Sequence, residues 1–326
     1  MSLEWDVTTI GELCSNVSSG GTPKSTNEEY YGGNIPWLNT KEINFNRIYD
    51  TEKHITNEGF KNSAAKWVKK DSVIVAMYGA TAAKVAMNMV DLTTNQACCN
   101  LTIDKSLANP KFVYYYLYSN YERLLNLASG AAQQNLNSNI IKEFPINIPS
   151  LNVQNEIVNL LSTIDDKIEL NQKINKNLDD ILDSIFKENF IKEFDNDNND
   201  WKIKNIGELP LIITDYVANG SFASLKENVT ILDYEEYAYF IRNTDLKSKS
   251  FQKFVNKHSY DFLKKSSLFG NEVIISNVGD VGSVFLCPFL DKPMTLGNNM
   301  ILVKSRDDAI NLNFYLFLLF RSNYGQ

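Results

Sequence analysis

The sequence predicts an α+β protein: two similar mixed α/β modules joined by one long, coiled-coil-forming α-helix. Three observations predict it. The same short blocks occur twice, in the same order, about two hundred residues apart. Between the copies, from Leu151 to about Glu193, there is neither Gly nor Pro. That stretch carries apolar residues in alternating steps of four and three, the signature of a heptad seam.

The repeat comes first, because internal periodicity decides architecture. Trp5 to Leu13 (WDVTTIGEL) is answered by Trp201 to Leu209 (WKIKNIGEL) at an offset of 196. Trp37 to Ile43 is answered by Phe240 to Leu246 at 203, and Asp71 to Gly79 by Asn271 to Gly279 at 200. Asn95-Gln96 is answered by Asn298-Asn299, and the Ser119-Asn120-Tyr121 that ends one helical stretch by Ser322-Asn323-Tyr324. Five ordered blocks at nearly constant offset indicate duplication. The boundaries expected are residues 1–150 for the first module, 151–193 for the helix, 194–200 for an acidic linker and 201–326 for the second module. The second copy stops short of the loop, Pro-bounded segment and helix that follow the first, so it reads as lacking a second helix.

Within a module, Val73 to Met77 and Val273 to Ser276 are β-branched runs ending before a Gly, and read as buried strands with a turn behind them. Lys84 to Met89, Val284 to Cys287, Asn100 to Ile103 and Met300 to Val303 read as further strands. Pro110 to Leu127 opens on Pro and keeps a helical spacing. Gly20-Gly21-Thr22-Pro23 and Gly32-Gly33 mark loops. Phe144 to Pro149, pinned by two prolines, reads as an extended edge or connection.

The helix seam runs Ile157, Leu161, Ile164, Ile168, Asn171, Asn175, Leu178, Leu182 and Ile185. A seam this regular calls for another helix to cover it. Asn171 and Asn175 at its centre have two readings: buried amides that fix register, or the solvated middle of an exposed helix. Without a partner in its own chain, the seam would pair with a second copy, antiparallel about a two-fold axis.

Net charge is −7. Residues 1–150 carry 13 Lys+Arg against 14 Asp+Glu, residues 151–200 carry 5 against 12, and residues 201–326 carry 14 against 13. The acidity lies in the helix and linker, which leaves room for a basic face on each near-neutral module. The four cysteines form no CxxC and the two histidines are far apart, so no metal site is expected. Cys98 and Cys99 read as buried thiols in a reducing cytoplasm. No apolar run is long enough to span a membrane, and no secretory signal is read at the start. There is no phosphate-binding Gly loop, HExxH, GxSxG or amino-methyltransferase motif, so no cofactor and no catalysis are expected.

This architecture resembles the specificity (S) subunit of Type I restriction–modification systems. The resemblance rests on the two W…IGEL openings, the 37–43 and 240–246 blocks, and the two VI[VI]…G blocks at 73–79 and 273–279. It rests also on the passage Gln133-Gln134-Asn135-Leu136…Phe144-Pro…Ile148-Pro149…Gln154-Asn-Glu-Ile157, which feeds the long helix. It implies two target-recognition domains that read double-stranded DNA without catalysis, in a complex with methyltransferase (M) and restriction (R) subunits. In that family two spacer helices pair as an antiparallel coiled coil.

A constant rise of about 1.5 Å per residue makes a helix a ruler between two base-reading surfaces. Cations would meet phosphates and amides would meet base edges. The candidates in the first module are Thr22, Lys24, Asn39, Thr40, Lys41, Tyr78, Lys84, Gln133, Gln134 and Asn135. In the second they are Arg242, Asn243, Thr244, Lys247 and Asn277, with Arg242 favoured because Arg-to-guanine is the commonest specific contact. Each also has a plain reading as turn chemistry or surface loop. The competing function is a homo-oligomeric coiled-coil protein whose modules bind protein or RNA.

Overall fold

The computed structural model describes residues 5–128, 135–192, 204–306, 310–323 and 325. The chain divides into two compact units, Met1–Asn171 and Gln172–Gln326.

In the first unit, one sheet runs in the order Cys14–Ser19, Cys98–Ile103, Val73–Ala76, Val85–Asn88, Asn46–Ile48. Its last pair is parallel and the others are antiparallel. Val73–Ala76 is buried on both faces, which is why it reads as an unbroken apolar run rather than an alternation. Val73 and Val75 join a core with Phe112, Val113 and Leu117 of the helix Pro110–Ser119. Ile74 and Ala76 face the other way, into a core with Leu38, Ile43 and Leu92. Those residues belong to or follow a second sheet, ordered Lys53–Ile55, Tyr31–Leu38, Leu92–Thr94, Trp67–Val68. A third pairing, Asp6–Thr9 with Pro145–Ile148, closes the module.

Two expectations are corrected here. Gly32-Gly33 is not a loop but part of strand Tyr31–Leu38, at a register shift where Tyr31 and Ile35 both face Ile55. Gly33 cannot carry a Cβ there, because it would lie 2.4 Å from the Ile55 carbonyl oxygen. The helix expected over 110–127 breaks at Asn120, whose side-chain amide donates to the Tyr116 carbonyl at 2.9 Å; a separate turn, Tyr121–Leu125, follows.

The second unit repeats the plan. One sheet runs Leu211–Asp215, Met300–Ser305, Val273–Ser276, Val284–Leu286. The other runs Ile231–Leu232, Phe254–Val255, Ala238–Ile241, Met294–Leu296, Ser267–Leu268. The single parallel pair of the second sheet recurs: Tyr31–Leu38 with Leu92–Thr94, and Ala238–Ile241 with Met294–Leu296. Helix Ile310–Arg321 takes the place of Pro110–Ser119, placing Leu316 on Val273 and Val303. Backbone conformation repeats as well. Positive φ occurs at Asp71 and Asn271, at Gly79 and Gly279, and at Ala83 and Gly282. The last pair shows the first copy holding an alanine where a left-handed residue is required, at a cost of about 1–2 kcal/mol that the second copy avoids with Gly. The opening block of the second copy, Trp201 to Ile203, and the 194–200 linker lie outside the described residues.

The long helix spans Leu151–Phe186 and continues as a π-helical turn, Lys187–Ile191. Its start is locked by Gln154, which is 1% exposed. The Gln154 carbonyl accepts the Asn109 backbone N–H at 2.8 Å, and its amide donates to the Pro149 carbonyl at 2.8 Å. Val158 is buried in the first core and Ile157 packs against it. Beyond that point the seam is open. Ile164, Ile168, Leu178 and Ile185, with Leu160, Ile174 and Ile181 of the second row, are between 44% and 67% exposed. Leu161 and Leu182 are half-buried, and Asn171 and Asn175 are exposed.

Candidate nucleic-acid interface

Strand direction gathers the candidate residues at one rim of each module. In the first unit, Cys14–Ser19, Tyr31–Leu38, Val73–Ala76 and Leu92–Thr94 all end at the same edge, where Cys98–Ile103 and Val85–Asn88 begin. Thr22 and Lys24 follow the first of these strands, Asn39 to Lys41 the second, and Tyr78 the third; Lys84 precedes Val85–Asn88. Asn135 joins them by bridging to Tyr78. Gln133 and Gln134 lie outside the described residues.

The rim is held by its own polar contacts. Gly21 N–H donates to the Thr94 carbonyl at 2.9 Å, Asn95 N–H to Leu38 at 3.0 Å, and Met77 N–H to Ala97 at 2.8 Å. Thr22 Oγ1 donates to the Gln96 side-chain carbonyl. Lys84 Nζ donates to Asn44 Oδ1 at 2.8 Å and sits 5.9 Å from the Phe45 ring centroid. Tyr78 is exposed, and Lys24, Thr22 and Gln96 reach solvent.

Asn39 does what its turn reading describes. Its side chain accepts the Lys41 N–H at 3.2 Å, and its own N–H donates to Glu42 Oε1 at 3.0 Å, a capping box on the turn Thr40–Glu42. Lys41 is paired with Glu52 at the surface, which raises its pKa.

The second unit builds the same corner with different residues. Arg242 N–H donates to Asp245 Oδ2 at 3.0 Å, as Asn39 does to Glu42. The guanidinium then forks onto the same carboxylate, Nε at 2.9 Å and Nη2 at 2.6 Å. That hydrogen bond, against a smaller opposing effect of burial, holds the Arg242 pKa above its usual value. Asp245 is 2% exposed, so Arg242 supplies the charge that lets it be buried. One edge of the fork is thereby committed inside the module. Asn243 donates to Ser276 Oγ at 2.9 Å, while its carbonyl oxygen is buried without a partner. Thr244 is exposed. Lys247 pairs with Asp280. Asn277 is exposed, its backbone N–H held by the Asn299 carbonyl at 3.1 Å.

Several rim residues escaped the sequence reading. Gln96 in the first unit, and Asn298 and Asn299 in the second, stand exposed at the strand junctions. The signal was present, since that block repeats between the copies. Exposed Lys66 stands at the rim end of Trp67–Val68, and Lys264-Lys265 occupies the matching turn in the second unit. Among the described residues no cluster of His, Cys, Asp and Glu suits a metal ion, and no helix is long and apolar enough to cross a membrane.

Comparison with known proteins bears on this arrangement. The family model for the Type I restriction modification DNA specificity domain matches residues 2–180. The MjaIX specificity subunit of Methanocaldococcus jannaschii is 31% identical over 225 residues, which is 63% of this chain and 51% of that protein. The EcoR124I/EcoR124II specificity subunit of Escherichia coli is 27% identical over 169 residues, 50% of this chain and 41% of that one. The chain spans about half the length of the curated relatives it matches. A crystal structure of a Type I restriction–modification S subunit from M. genitalium superposes with a TM-score of 0.51 at 18% identity, covering 98% of this chain and 78% of that one, and shares the fold. With the family model spanning more than half its length, the chain belongs to the family of Type I restriction–modification DNA specificity domains.

Proposed function

We propose that this chain is the DNA-reading component of a Type I restriction–modification complex, each module reading one half of a bipartite target. The observation that carries this is the repeated rim: one set of strand ends, built twice in one chain, lined by amides, hydroxyls and cations. Such groups suit base edges and phosphates. Adenine methylation and cleavage come from methyltransferase and restriction partners; the chain itself is non-catalytic and needs no cofactor. Its four unpaired thiols suit the reducing cytoplasm.

The test is binding of the full chain, with its methyltransferase partner, to random-sequence duplexes over a salt series. Sequence-selective binding is expected, with affinity falling steeply as salt rises. Lys24→Ala is expected to lower the salt slope by about 1. Equal or stronger retention of single-stranded RNA would favour the protein- or RNA-binding alternative.

We infer further that the open seam is covered by another helix, and that a second copy of this chain fits it. Placed antiparallel about residue 173, the seam is self-complementary. Ile168 meets Leu178, Ile164 meets Leu182 and Leu161 meets Ile185, while Asn171 meets Asn175 at the centre. Light scattering at tens of micromolar tests it; a clean monomer would refute it.

A further inference from the structure

The most heavily engaged cation of the first unit is Arg47, outside the set of rim residues. Its side chain is 7% exposed. Nη1 donates to Asp166 and lies 3.5 Å from Glu169 Oε1, while Nη2 lies 3.7 Å from Asp165 Oδ2 and donates to the Ser162 carbonyl at 3.4 Å. Two tyrosines complete the cluster: Tyr115 OH donates to Asp165 at 2.6 Å and Tyr49 OH to Glu169 at 2.8 Å. Ser162, Asp165, Asp166 and Glu169 lie on one side of the long helix, at steps of three and four. Three carboxylates so close together repel one another unless a cation sits among them. A planar fork with five donors serves several acceptors at once, which an ammonium cannot.

Arg47 also lies two or three residues from the rim. It belongs to strand Asn46–Ile48, whose partner Val85–Asn88 begins just after Lys84. Asn44, which takes the Lys84 ammonium, and Phe45, which stacks on Tyr118 at 4.4 Å, precede it directly. One short segment therefore carries rim residues at one end and the helix anchor at the other.

We propose that Arg47 is a positioning residue for DNA reading: it ties the rim segment 44–48 to the long helix and fixes the angle at which the first module presents its rim. This rests on the bipartite reading above. The acidity of the helix then has a use, since its carboxylates grip the module. The second unit has a related contact, where Arg321 pairs with Asp179 and donates to Asp183 at 2.6 Å.

The test separates positioning from base reading. Half-sites are first identified by selection from random duplexes with the full wild-type chain and its methyltransferase partner. Duplexes holding those half-sites at varied separations are then ranked. The wild type should prefer one separation by about tenfold or more, the scale of a single mismatched base pair. R47M should keep the same half-site bases while that preference falls to about threefold or less, with R47K between. Because R47M removes a buried cation and risks unfolding the module, the helix-side variant D165N/D166N/E169Q is measured in parallel and should show the same loss. Unchanged separation preference in either folded variant overturns the proposal, as does a change of first half-site bases with spacing intact. A wild type that selects sequence without a bipartite pattern overturns the bipartite reading, and the proposal with it.

Discussion

Gln154→Leu tests how the module is joined to its helix. The substitution keeps roughly the side-chain volume and removes both hydrogen bonds. The Asn109 N–H, part-buried, and the Pro149 carbonyl, buried, each held at 2.8 Å by Gln154, are then left without partners. Each stranded group costs about 1–3 kcal/mol, so the loss should be about 2–6 kcal/mol. For a unit of this size that corresponds to a fall in Tm of roughly 4–24 °C. The assay is urea unfolding followed by tryptophan emission. Trp5, Trp37 and Trp67 lie in the first unit and only Trp201 beyond it, so the signal reports mainly on the first unit. Unfolding is fitted with more than one transition, because two units need not melt together. A loss below about 1 kcal/mol would refute the reasoning, since it would mean that water or a neighbour satisfies both groups.

Ile168→Lys with Leu178→Lys places charge on an exposed stripe, so the stability of the isolated chain should change by no more than ~0.5 kcal/mol per site, while sedimentation shifts from dimer to monomer; a dimer that persists would contradict the seam pairing. The hydrogen bond from Arg47, foremost among the influences on it, holds the Asp166 carboxyl below the usual range. Because the folded pKa is lowered, that stabilisation is complete above the ordinary carboxylate pKa of about 4 and is lost as pH falls through the lower folded value. The stability gap between wild type and Asp166→Asn should therefore be small at neutral pH, given the solvent exposure of Asp166, and vanish in acid; a gap that widens in acid contradicts the pairing. Burial pushes the Cys14 and Cys99 thiols up to about 12 and those of Cys98 and Cys287 up further. Iodoacetamide at pH 8 should leave the buried Cys98, Cys99 and Cys287 unmodified in the folded chain and alkylate all four in denaturant, as read by mass spectrometry; fast labelling of those three in the native protein would contradict the burial.

Much of the fold was legible because duplication shows each element twice. Val73–Ala76 and Val273–Ser276 are named by composition, and their neighbours by repeated turns. The errors fell where local chemistry was overridden. Gly32-Gly33 suggests a loop from composition alone, yet the strand needs glycine there because the Ile55 backbone passes close by. Asn120 looks helical by spacing, but its amide captures the Tyr116 carbonyl and ends the helix. The candidate site was legible at the level of segments and not of side chains. Arg242 was singled out for its base-reading chemistry, and the structure shows one edge of its fork spent on Asp245 three residues on. Arg47 could not have been found from spacing, because its partners are more than a hundred residues away in sequence.

The central claim is that each module reads its own half of one target. The most direct test is selection of duplexes from a random pool by the full chain with the proposed methyltransferase partner, repeated with rim variants of one module at a time. The account predicts two short sequence blocks at a fixed separation. Thr22→Ala with Lys24→Ala should degrade only one block, and Asn277→Ala only the other. A single contiguous block, no enrichment, or both blocks degrading together in either variant would contradict it.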